Sequence, residues 1–135
     1  MRGPVIGYLA VLVVMAVLDA VWLSTMVPAV YRPALAGLLR AAPAKVPAVL
    51  FYLLYAAGVL VLVVLPALAQ GGWRQALWRG AAFGLVAYAT YDLTNAATLR
   101  DWPAGITLLD MAWGTVLTAV TAAAATAVTR AAGGA

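Results

Sequence analysis

Four aspartates are the only acids in this 135-residue chain, and three of them, Asp19, Asp92 and Asp110, lie inside long apolar runs. An acid at the centre of a bilayer costs at least about 2.5 to 3.5 kcal/mol on insertion scales, so it faces other helices or a wet cavity rather than the acyl chains. Carboxyl groups so placed have three uses. A protonated one donates to a bound molecule while an ionised one accepts, which is general acid and base work. Several together ligate a cation. Each can also hold a neighbouring helix through a hydrogen bond worth about 0.6 to 2 kcal/mol. Asp19, Asp92 and Asp110 are therefore the candidate catalytic residues.

The residues around them are ordered. Along Tyr88-Ala89-Thr90-Tyr91-Asp92-Leu93-Thr94-Asn95-Ala96-Ala97-Thr98, a turn of 100° per residue puts Tyr88, Tyr91, Asp92, Asn95 and Thr98 on one side of a helix. Asp19 and Asp110 each open the spacing Asp-x-x-Trp, which ends at Trp22 and Trp113. Those indoles suit either a packed core or the walls of a site for a flat or cationic ligand. With Tyr52 and Tyr55 they complete the candidate ligand-binding set. Arg32, Arg40, Lys45 and Arg100 are candidates for a rim that holds a phosphate or carboxylate headgroup. Cys and His are absent, which removes disulfides, thiolate nucleophiles, the usual zinc sites and His-ligated haem. No metal site is assigned, and no cofactor is evident.

The elements that must position these groups follow from composition. With 67% hydrophobic and 9% charged residues and a mean hydropathy of +1.03, the chain lies far from the soluble norm of about 25% charged. It reads as an all-α polytopic membrane protein, one transmembrane domain over 1–135. Four spans of roughly 20 residues fall at 4–26, 46–69, 80–99 and 104–128, giving an antiparallel four-helix bundle. The first run overshoots the roughly 7 to 15 apolar residues of a signal peptide. Residues 27–45 form an interfacial loop or lid, with a short helix starting at Pro33 and running to about Arg40. Pro66 ends or kinks the second span. Gln70 to Arg79 makes a turn at the membrane surface, and 100–103 is a tight connection that makes the last two helices neighbours.

Counted at 1.5 Å per residue, all three acids lie about 10 Å below one surface, with Tyr52 and Tyr55 at the same level. Trp22 falls above that layer and Trp113 below it. The other half of the bundle is nearly all aliphatic. The net charge of +4 comes without a basic run or groove-reading motif, so it anchors the chain to a membrane surface and does not bind nucleic acid. The basic residues are tied at four on each side. Asp101 breaks the tie and puts both termini in the cytoplasm.

Leu18-Asp19-x-x-Trp22-Leu23, then Tyr91-Asp92-Leu93-Thr94-Asn95 with Leu99 and Trp102-Pro103, then Asp110-x-x-Trp113-Gly114 together resemble a family of small four-span bacterial membrane proteins known only as a domain of unknown function. The resemblance covers nearly the whole chain. It implies a fold and a bacterial inner membrane, and brings no activity with it.

The expected site is a pocket opening from one leaflet, with aromatic walls, a carboxylate floor and a basic rim. It suits an amphiphilic lipid-like or isoprenoid ligand, held alone or modified by acid and base chemistry. Two alternatives stay open. One is a proton- or cation-coupled transporter, which needs a homo-oligomer and a second polar layer. The other is a non-catalytic accessory subunit of a larger membrane complex.

Overall fold

Long runs of Ala, Leu and Val in an apolar medium have no water to bond to, so each must satisfy its own backbone as a helix. The structure is a computed structural model that describes residues 2–134, and among these every regular element is helical. Helix α1 spans Arg2–Ala34, α2 Lys45–Ala69 and α4 Ala104–Ala131. Among the described residues these three are long and apolar enough to cross a membrane. Helix α3, Gly72–Thr98, has the length but carries Arg74, Gln75, Arg79, Asp92 and Asn95, which dilute its hydropathy.

Helix α1 shows how its sequence sorts inside from outside. Gly3, Gly7, Val11, Met15 and Asp19 recur every four residues and are buried. Val5, Leu9, Val13, Val17 and Val21 share the spacing and are exposed, as expected of a face turned to acyl chains. The buried stripe packs against α2 and α4. Val11, Met15, Val59, Val63, Val64 and Leu117 fill this half of the molecule, all 2% exposed or less.

Two helices run through prolines expected to stop them. Helix α1 passes Pro28 by widening into a π turn over Val27–Tyr31, where the Arg32 N–H reaches the Val27 carbonyl, and closes with one α turn, Arg32–Ala34. A proline lacks the N–H for the regular ladder, and its ring collides with the carbonyl four residues back. A wider turn at the proline lets the helix carry on past it. The loop expected over 27–45 is therefore only 35–44, and Pro33 sits in the last turn of α1 instead of starting a separate helix. Helix α2 does the same over Leu60–Val64, and Pro66 neither ends it nor keeps it from reaching Ala69.

Helix α3 begins at Gly72 rather than at residue 80, so Trp73, Arg74, Trp78 and Arg79 ride on a helix and not in a turn. The reversal before it is made by Gly71 and Gly72, at φ of 95° and 67°, a region open to glycine at little cost. Helices α3 and α4 make the most extensive contact of the fold. A Cβ on Gly80 would lie 2.8 Å from the Thr118 carbonyl, and one on Gly84 would lie 2.7 Å from the Thr118 side chain. At these glycines the two backbones come close enough that a side chain would not fit between them. At the far end Arg130 donates to the Leu68 carbonyl at 3.0 Å and ties α4 to α2.

Candidate functional site

Asp19 continues the buried stripe of α1, so its carboxyl points at α2 and α4. The Tyr52 hydroxyl donates to Oδ2, and the Trp113 indole N–H donates to Oδ1 at 3.2 Å. Three helices thus meet on one carboxylate. The Trp113 ring lies flat on Trp22, with centroids 4.3 Å apart and 3° between planes. The Trp22 N–H donates to the Tyr31 hydroxyl at 3.3 Å, and that hydroxyl donates to Asp110 Oδ1 at 2.8 Å. Polar groups therefore run in series from Tyr52 through Asp19, the indole pair and Tyr31 to Asp110.

The series corrects two sequence expectations. Trp22 and Trp113 do not stand apart above and below a layer of acids; they fill the space between the acids with each other. Nor do the three carboxyls meet at one point, since Asp19 is bonded to Tyr52 and Trp113 while Asp92 faces Asp110; among the described residues no three acids could hold a metal ion together. Residue counts locate Cα atoms, whereas an indole is long enough to bridge the height difference between two such positions and take up the room.

Asp92 is fully buried on α3, and neither of its oxygens has a hydrogen-bond partner. The acid facing it is Asp110, near enough to share a proton with it. Both acids line a cleft of about 450 Å³ with Tyr31, Leu35, Leu38, Leu39, Trp102 and Ile106, and with Arg32 and Arg40. Its walls come from the end of α1, the 35–44 connection, α3 and the start of α4. Unpartnered buried carboxyl oxygens are rare because each forfeits its hydration. A proton held between Asp92 and Asp110 would let one carboxyl donate to the other, and so would a ligand hydroxyl or amine in the cleft.

The other expected site residues scatter around this core. Tyr55 is buried and shares a hydrogen bond of 2.7 Å with Thr118. Tyr88 packs over Gly114, where a Cβ would strike its ring. Tyr91 is 56% exposed, stands edge-on to Trp102 with centroids 5.8 Å apart, and lines the same cleft as Asp92 and Asp110. Asn95 is half-buried one turn further along. Thr98 is exposed and its hydroxyl bonds to the Thr94 carbonyl at 2.8 Å, so its polarity serves its own helix. Arg32 and Arg40 are at the cleft; Lys45 and Arg100 are exposed and do not line it.

Sequence reasoning missed Tyr31, the residue that joins the tryptophans to Asp110, because it treated 27–45 as loop. The signal was Pro28 within an unbroken apolar run, where a π turn can pass. Removing only this bridge, Tyr31→Phe is expected to lower stability by about 0.6 to 1.7 kcal/mol, the range of single interhelical hydrogen bonds. Chemical denaturation in mixed micelles reads it, and an unchanged midpoint contradicts the bridge.

A chain of such apolar helices with buried acids at their contacts is a multi-pass integral membrane protein. It belongs to the family described as predicted membrane protein (DUF2177), whose model matches residues 4–127 and so bears out the resemblance seen in the sequence. No curated protein and no solved structure matches the chain at a significant level.

Proposed function

We propose that the protein spans a bacterial inner membrane four times, as an antiparallel bundle with cytoplasmic termini, and binds one amphiphilic lipid-like or isoprenoid molecule in the cleft of Asp92 and Asp110. For α3 as the fourth span, the support is its buried stripe, Gly72, Ala76, Gly80, Gly84 and Asp92, packed along α4, while Leu77, Leu85, Val86 and Leu93 are exposed. The observation that carries the ligand is Asp92, with two buried and unpartnered oxygens at a cleft walled largely by apolar side chains. A hydroxyl or amine on the ligand satisfies Asp92, its chain lies along Leu35, Leu38 and Ile106, and Arg32 and Arg40 hold an anionic group at the mouth. The Tyr31 hydroxyl and two adjoining carboxyls can also move a proton to or from that polar end.

Below the cleft, the core around Val59, Val63 and Leu117 offers an ion no charged group, only the hydroxyls of Thr118, Thr121, Thr126 and Thr129, of which Thr118 bonds to Tyr55 and Thr126 and Thr129 bond to their own helix. That favours a blind pocket over a conduction path. The test is native mass spectrometry of protein released from native-lipid nanodiscs. One amphiphile should be retained at one per chain in the wild type and be missing from Asp92→Leu. The same lipid complement on both proteins would defeat the proposal.

A further inference from the structure

Helix α2 meets α3 mainly through its π turn and its last turn, Leu65–Ala69. Upstream of the π turn the two diverge, and a second cavity of about 380 Å³ opens there, lined by Phe51, Tyr55, Ala87, Tyr88, Tyr91 and Asp110. Four of these six residues are aromatic, one is a carboxylate and none is basic. We infer that this cavity is a site for a quaternary ammonium headgroup carried by an amphiphile.

Ring geometry supports the assignment. Phe51 and Tyr55 lie 5.3 Å apart with 30° between planes, and Tyr88 stands to Tyr55 at 82° with centroids 6.2 Å apart. Two walls therefore meet at nearly a right angle, so a cation in the corner sees more than one ring within about 6 Å, the range of cation-π attraction. The Tyr55 hydroxyl is engaged by Thr118, which pins that ring, and Gly114 is what lets Tyr88 seat. Asp110 closes the site with negative charge, and its Oδ1 is held by Tyr31.

The same surface argues against other headgroups. An anion would face a carboxylate and the negative faces of the rings. A primary ammonium would bring three N–H donors to a wall of mostly ring carbon, whereas a trimethylammonium group needs no acceptor. A bare acyl chain has no use for the carboxylate. The mouth faces sideways between α2 and α3, with Phe51 and Tyr91 both partly exposed, so the tail of an amphiphile can remain in the bilayer. The site shares Tyr91 and Asp110 with the first cleft, whereas Asp92, Arg32 and Arg40 take no part in it and Phe51 takes none in the first, so Phe51→Leu tests it apart from the ligand proposed there.

The experiment uses the full chain in phosphatidylglycerol nanodiscs with radiolabelled dodecyltrimethylammonium as probe. Saturable binding at one per chain, displaced by tetramethylammonium, is expected. It should weaken about tenfold in Phe51→Leu and in Asp110→Asn, the scale of losing one desolvated cation-π or charge contact. Phe51 is 46% exposed, so its replacement spares the fold, and Leu54→Ala on the lipid-facing surface serves as control. Partitioning without saturation overturns the inference. So does equal binding by Phe51→Leu, Asp110→Asn and the control. Binding lost in Asp92→Leu but kept in Phe51→Leu assigns the cation to the first cleft and overturns it as well.

Discussion

Replacing Asp92 by leucine is expected to make this protein more stable and to empty its cleft at the same time. The carboxyl has no exposed surface, and apart from a proton shared with Asp110 neither oxygen meets a donor, so the fold bears most of its desolvation without a compensating bond. Removing an unsatisfied buried polar group in favour of an apolar one recovers about 1 to 3 kcal/mol. The adjoining cleft of about 450 Å³ has room for the extra atoms, so overpacking does not cancel the gain. Denaturation midpoints should rise, and the co-purified amphiphile should vanish. A merely structural aspartate behaves oppositely: its loss lowers the midpoint and leaves bound lipid unchanged. Asp92→Asn separates charge from shape, since it keeps the volume and a hydrogen-bonding group while removing the acid.

Trp113→Ala should be the most damaging single change in the polar series. The indole contributes a full stacking partner to Trp22 at 4.3 Å and one of the two hydrogen bonds on Asp19. Truncating a packed tryptophan costs about 3 to 5 kcal/mol, and the Asp19 carboxylate loses a donor in addition. Trp113→Phe divides the loss, keeping an aromatic face for Trp22 and removing only the N–H. It should cost about 1 to 3 kcal/mol, the penalty of one unmet bond to a buried group. If both variants denature like the wild type in mixed micelles, the indole pair does not hold α1 to α4. If the phenylalanine variant is as damaged as the alanine one, the bond to Asp19 outweighs the stack.

Much of the helical layout was legible because hydrocarbon runs leave the backbone little choice. The limits of α3 were not. Trp73, Arg74, Trp78 and Arg79 carry the composition of a membrane-surface turn, yet they open a helix that packs against α4 through Gly80 and Gly84. The meeting of Asp92 with Asp110 followed from counting outward from the short connection at 100–103, where backbone geometry dominates. The indole pair could not be counted in that way, because side-chain reach decides which groups touch. Thr98 shows a different blind spot. Periodicity put it on the polar face, yet a threonine hydroxyl can satisfy itself on the carbonyl one turn back, as this one does.

The wide turn over Val27–Tyr31 has an evolutionary corollary. It is in effect a single-residue surplus in the first helix, and everything beyond it is rotated by that surplus, including the tyrosine that touches Asp110. Losing the Pro28 codon would remove the proline and the surplus together, restore an ordinary helix and swing Tyr31 by about 100° around the axis, away from its partners. Point substitutions here are a lesser threat than a frame-preserving deletion, which makes segment length, as much as residue identity, the inherited trait in this part of the gene.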